Sequence, residues 1–176
     1  MYQTVKEIDM WREISPYEIE NAMKLIGKDW MLISAEKDGA VNTMTASWGC
    51  MGILWNKPVC TAFIRPQRYT YEFSEAADKM TLSFFDESYR DALRFCGTKS
   101  GRDFDKFKET GLSYEICDGA PIINEARLVI VCKKLYADDL KEECFLDAEP
   151  LANYKAKDYH RFYICEIEKV LKREDV

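Results

Sequence analysis

Imidazole is the scarcest chemistry in this chain, with His160 its sole histidine. A nucleophile–histidine–acid triad would hang on that one residue, and no serine carries a nucleophile signature, so acyl-transfer catalysis is disfavoured. A hydrogen-bonded structural histidine is the better reading. Cysteines are present, at 50, 60, 96, 117, 132, 144 and 165, but their number is odd and no Cys-x-x-Cys pair occurs. That excludes the usual disulfide, zinc and iron–sulfur patterns, and no metal site is expected. Most read as reduced, buried packing residues. Neither Gly-x-Gly-x-x-Gly nor a P-loop occurs, although Gly97-Thr98-Lys99-Ser100 imitates part of one. No stretch approaches the roughly 18 apolar residues of a membrane span. The first nine residues lack a basic segment leading into an apolar one, so no secretory leader is expected and reducing cytoplasm is the expected compartment. Basic charge is also short, at 25 Lys and Arg against 31 Asp and Glu, which disfavours a nucleic-acid partner.

What remains is apolar and aromatic. Hydrophobic residues make up 47% of the chain and aromatics 13%, enough for a core at 176 residues and suited to β structure. Ser15-Pro16-Tyr17-Glu18 is a capping box with proline at the first helical position, and Ile19, Met23 and Ile26 continue at helical spacing until Gly27. Strands are expected over 30–35, 41–48, 57–64, 80–85, 128–132 and 159–171, with a turn at 36–39. Short helices are expected over 69–77, 86–95 and 103–109, and 96–102 reads as a loop. No repeat or linker interrupts the chain, so residues 1–176 read as one domain. Strands do not alternate with long helices, so an antiparallel barrel with short flanking helices is expected.

Charge is unevenly placed. Residues 136–149 carry six carboxylates against Lys141 alone, whereas 61–70 and 97–102 hold Arg65, Arg68, Lys99 and Arg102 with no acid between them. An acidic chain that keeps two purely basic loops is reserving them for an anion. Arg65 and Arg68 stand at a strand-to-helix junction, where free N–H groups and the helix dipole add to the guanidinium forks. Ser100 and Asp103 can cap the helix that follows them. The segment Asn42-Thr43-Met44-Thr45-Ala46-Ser47-Trp48 is dense in small polar side chains, which lets a flat heteroaromatic ligand approach the backbone. Each segment alone also has an ordinary reading, as a strand or a solvated turn. With no side-chain acid–base set in view, catalytic residues stay unassigned and a cofactor is the expected carrier of the chemistry.

Taken together, Asn42-x-Met44-Thr45-x-Ser47-Trp48, Arg65-Pro66-x-Arg68-Tyr69-Thr70 and Ser100-Gly101-Arg102-Asp103-x-Asp105-Lys106-Phe107 resemble the flavin reductase-like family, and its flavoredoxin-type branch in particular. The resemblance implies a mainly β fold, an antiparallel split β-barrel (Greek-key-like) with short flanking helices. It implies FMN as cofactor, with Asn42, Met44, Thr45, Ala46, Ser47 and Trp48 along the isoalloxazine and ribityl chain. Arg65, Arg68, Tyr69 and Thr70 would surround the phosphate, and Lys99, Ser100, Gly101 and Arg102 would close the pocket. It further implies a homodimer and an oxidoreductase using NADH or NADPH to reduce a flavin or another small acceptor. Two alternatives stay open: an electron carrier reduced by a protein partner, and a non-redox ligand-binding barrel. The stretch 136–149 has no assigned counterpart.

Overall fold

A computed structural model describes residues 10–174. The leader-free reading of the first nine residues falls outside that range. Among the described residues ten strands form, every pairing antiparallel: β1 (Trp11–Ile14), β2 (Met31–Lys37), β3 (Ala40–Ala46), β4 (Gly49–Leu54), β5 (Lys57–Ile64), β6 (Lys79–Phe84), β7 (Tyr114–Cys117), β8 (Ala120–Ile123), β9 (Leu128–Asp139) and β10 (Arg161–Arg173). The helices are short: α1 (Ala22–Lys24), α2 (Tyr69–Ala76), α3 (Arg90–Thr98), α4 (Lys106–Thr110) and α5 (Ala148–Leu151). The main sheet runs β3-β2-β6-β9-β10-β5-β4, with β1 also on β10 and a separate β7-β8 hairpin. This is the expected antiparallel split barrel with short flanking helices.

Two hairpins follow from backbone chemistry. Asp38-Gly39 and Asp118-Gly119 both take positive φ, as a two-residue turn of matching twist requires. The first was read from sequence and the second was not, so β7 and β8 are additions to that reading. The β4–β5 turn uses Trp55 and Asn56 at φ 53° and 58°. A tryptophan in the left-handed region gives no turn signal, and β4 escaped the sequence reading for that reason. The capping box at Ser15 forms, but it caps only a 3₁₀ turn. Asn21 then adopts φ 51° and caps α1, so the single helix expected over 16–26 is broken in two. The loop expected over 96–102 is also revised, because Cys96, Gly97 and Thr98 close α3.

The apolar run 128–132 is buried on both faces, as its unbroken hydrophobicity implies. Leu128, Ile130 and Cys132 enter the barrel with Ile33, Leu82, Tyr163 and Cys165. Val129 and Val131 face outward into a second core with Leu32, Leu93, Cys96 and Ile122, roofed by α3 and the β7-β8 hairpin. Truncating Ile130 to alanine in such a site costs about 2–5 kcal/mol. Strand β10 is the hub. Its first half pairs β5 and its last four residues pair β1, while β9 follows it along the other edge through two register shifts. All seven cysteines are free, and Cys60, Cys96, Cys132 and Cys165 are buried. No helix among the described residues is long and apolar enough to cross a membrane.

Candidate functional site

Strand β3 ends at Ala46, two residues short of its expected limit, and Ser47 and Trp48 form an unpaired corner before β4. Gly49 makes that corner tight, since a Cβ there would stand 3.1 Å from the Thr61 carbonyl oxygen and 3.2 Å from Met31 Cε. Having left the ladder, Ser47 and Trp48 keep backbone groups outside the sheet. Behind the corner Thr45 donates to the Leu93 carbonyl, tying β3 to α3. In front lies a cleft of about 230 Å³ lined by Met44, Thr45, Ala46, Ser47, Trp48, Phe63, Arg65, Arg68 and His160. Trp48 stays 47% exposed, offering its face to a planar guest.

The two arginines of this cleft differ. Arg65 pairs with Asp158, donates to the Asn153 carbonyl at 3.2 Å, and lies 5.2 Å over the Tyr154 ring. Gln67 donates to the same Asp158 at 2.8 Å. Arg68 donates to the Gly97 carbonyl at 2.8 Å and has no carboxylate partner among the described residues. Burial and the nearby Arg65 charge lower its pKa. An unneutralised, part-buried guanidinium is the natural receptor for an anion. The acid-free sequence around Arg65 is therefore not acid-free in space, because Asp158 arrives from the segment before β10.

Lys106 adds a second cation that the sequence reading did not single out. It is buried, donating to the Thr43 carbonyl at 2.8 Å and the Cys96 carbonyl at 2.9 Å. Burial pulls its pKa down to about 8, the adjacent thiol of Cys96 opposing the shift and Arg68 adding to it. Together Arg68 and Lys106 hold the last carbonyls of α3, where the helix dipole favours positive charge.

The other expected site residues form a separate group. Asn42, Tyr69, Gly101 and Arg102 line a different pocket, of about 480 Å³, with Phe73, Phe104 and Lys106. Asn42 donates to the Thr70 hydroxyl at 2.9 Å, and both side chains are buried. Gly101 lies so close that a Cβ would stand 2.2 Å from Asn42 Oδ1. Arg102 pairs with Glu72 at 2.5 Å and lies 4.7 Å over the Tyr69 ring. Lys99 sits 5.5 Å over Phe104, and Ser100 accepts from the Arg102 N–H at 3.2 Å. The cleft thus gathers Met44 to Trp48 with Arg65 and Arg68, while Asn42, Tyr69, Thr70, Gly101 and Arg102 meet at the β3–α2 junction and Lys99 and Ser100 contact the α3–α4 connection.

His160 and Phe63 complete the cleft, and sequence reasoning assigned neither to it. His160 is satisfied, as expected of a structural histidine, through a 2.8 Å bond between Nδ1 and the Tyr154 hydroxyl. It is also a wall of the site, 5.3 Å from the Trp48 ring and 6.3 Å from Phe63. Burial, helped by Arg65, lowers its pKa to about 4, so the ring is neutral at physiological pH. Its pairing register gave no such signal, since His160 precedes the first residue of β10. No group of three metal-ligating side chains forms among the described residues.

The family model for the flavin reductase like domain matches residues 23–176. Solved structures match over most of the chain. The FMN-binding domain of a flavin reductases-like enzyme from Shewanella baltica OS155 has 19% identity and a TM-score of 0.68, covering 92% of this chain and 76% of that one. The flavoredoxin of Desulfovibrio vulgaris (Miyazaki F) has 22% identity and a TM-score of 0.65, covering 82% and 69%. The NADH:FAD oxidoreductase of Streptomyces globisporus C-1027, in complex with NAD and FAD fragments, has 14% identity and a TM-score of 0.61, covering 83% and 77%. At these identities the structures share the fold. No curated protein matches the sequence.

Proposed function

The chain belongs to the flavin reductase-like family, and from that premise we propose that it is an FMN-dependent oxidoreductase with its flavin in the Trp48 cleft. The observation that carries the reading is the pairing of an exposed backbone corner at Ser47-Trp48 with the uncompensated guanidinium of Arg68. A ring laid on Trp48 with its phosphate on Arg68 satisfies both. The Thr45–Trp48 backbone orients the ring edge, and Lys106 keeps β3 and α3 in register behind it. When bound, the flavin would supply two-electron and one-electron transfer. Trp48, Phe63 and the neutral His160 exclude water from one side. One domain spans the chain in this reading, and seven free thiols suit the reducing cytoplasm.

NADH or NADPH is the proposed donor. The purified protein should carry a flavin spectrum, and heat should release a mass equal to FMN. Anaerobic mixing with each nicotinamide should bleach the visible band. A colourless protein that takes up no FMN would leave only a non-redox ligand-binding barrel. Bleaching by neither nicotinamide would favour the second reading, a carrier reduced by a basic protein partner. Glu143, Asp147 and Glu149 support that reading, having no ion pair among the described residues. Salt-sensitive reduction by the partner would then be expected.

A homodimer completes the proposal. Phe63, Phe162 and Tyr136 form a row on one face of the sheet, ring centroids 6.0 and 6.1 Å apart, and Tyr136 is 46% exposed. A second copy would cover this face. Light scattering should give twice the chain mass, and Phe162→Glu should halve it; a parental protein that is monomeric removes the dimer.

A further inference from the structure

The segment between β9 and β10, residues 140–160, lies outside the three motifs that carry the family resemblance. It supplies Asn153, Tyr154, Asp158 and His160, and all four are engaged at one end of the cleft. Asp158 holds the Arg65 guanidinium, and that guanidinium lies over the Tyr154 ring. The Tyr154 hydroxyl meets Nδ1 of His160, whose ring stands beside Trp48. The remaining ring nitrogen, Nε2, has no protein partner among the described residues, and it is not among the enclosed polar atoms that lack one.

The direction of the Tyr154–His160 bond decides what the cleft offers a ligand. A neutral imidazole carries one N–H and one lone pair, and the partner of Nδ1 selects which side holds the proton. Burial keeps the Tyr154 phenol protonated, with a pKa above its ordinary value. A phenol is the stronger acid and an imidazole nitrogen the stronger base, so O–H to Nδ1 is favoured over N–H to oxygen. The Arg65 charge over the ring reinforces that polarity by making the hydroxyl a better donor.

We propose that Tyr154, held in place by the Arg65–Asp158 pair, is a positioning residue that fixes His160 as the Nε2–H tautomer, so that the cleft presents a neutral hydrogen-bond donor to a carbonyl oxygen of the bound ligand. This rests on the flavin reading for the identity of that ligand. The carbonyl belongs to the flavin ring or to a nicotinamide carboxamide stacked against it. A neutral donor polarises such an oxygen without placing a full charge in the cleft. It also gives the segment between β9 and β10 a role, which is to carry Tyr154 and Asp158 to their posts.

The lone histidine gives the full chain one pair of imidazole nitrogen resonances. A long-range proton–nitrogen correlation spectrum near neutral pH therefore reads its tautomer directly. The expected spectrum has Nε2 protonated and Nδ1 bare. Tyr154→Phe keeps the ring beneath Arg65 but deletes the hydroxyl, and should move both nitrogens toward the averaged positions of a tautomeric mixture. Asp158→Asn releases Arg65 and should move them the same way, which keeps the test alive if the first variant does not fold. Adding FMN, then NAD⁺, identifies the acceptor by the step at which the Nε2 proton shifts downfield. A parental proton on Nδ1, variant spectra that superimpose on the parent, or an Nε2–H that ignores both ligands would overturn the proposal. A protein that binds no FMN would strike at the flavin reading instead, leaving the tautomer result to stand or fall by itself.

Discussion

Arg65 and Arg68 line one cleft but occupy different electrostatic states. Arg65 is neutralised by Asp158, while Arg68 rests on the Gly97 carbonyl with no carboxylate beside it. The uncompensated charge is the one an incoming phosphate gains most from meeting.

Removing them should therefore have unequal effects. Arg68→Ala is expected to weaken FMN binding by about 1.5–3 kcal/mol, the worth of a charged hydrogen bond. Arg65→Ala should cost less affinity, because Asp158 already holds that guanidinium. Titration by flavin fluorescence quenching measures both, and a larger loss for Arg65 than for Arg68 would reverse the assignment.

His160 should make stability depend on pH. Its folded pKa of about 4 lies below its ordinary 6.5, so between these values the unfolded chain binds the extra proton. Stability is full above 6.5 and is lost as pH falls toward 4. Urea unfolding across this range should show a slope that His160→Gln lacks. Parallel curves for parent and variant would mean the ring titrates normally.

Gly101 is expected to reject any side chain. A Cβ there would stand 2.2 Å from Asn42 Oδ1, 2.9 Å from its Cγ and 3.0 Å from Tyr69 Cδ1, displacing the Asn42–Thr70 bond. Gly101→Ala should cost about 1–3 kcal/mol. Gly27→Ala meets nothing within 4 Å and serves as the control. Equal melting temperatures for the two variants would contradict this packing.

Lys106→Met should destabilise the chain by about 1–3 kcal/mol, since it strands the carbonyls of Thr43 and Cys96 in a buried site. FMN affinity should fall as well, because α3 is then tied to β3 by the Thr45–Leu93 bond without the Lys106 bridge. Calorimetry and flavin titration on the same preparation test the two effects, and an unaltered melting temperature would show the carbonyls find water.

Local patterns announced much of the fold. The strand expected over 57–64 is β5 residue for residue, and the Asp38-Gly39 turn and the doubly buried run at 128 were equally plain. What stayed hidden was non-local. Asp158 reaches Arg65 across 93 positions, so no loop-by-loop charge tally could pair them. The same tally gave Arg102 a place among free cations, although Glu72 holds it from 30 positions away. His160 entered the cleft only because the segment before β10 folds back over Arg65. The motif residues Asn42, Thr70 and Gly101 were legible as a constellation, and the structure brings them together beside a second pocket, apart from the Trp48 cleft.

The divided allegiance of β10 also bears on solubility. Four residues at its far end, Val170 to Arg173, are paired along one edge, among the described residues, by Trp11–Ile14. Trimming the chain past Ile14 would uncover a ready row of amide and carbonyl groups, an invitation for another molecule to add its own strand and grow into aggregate. So small a ribbon thus closes one of the places where a foreign strand could dock, β3 and β4 being the outer strands of the sheet.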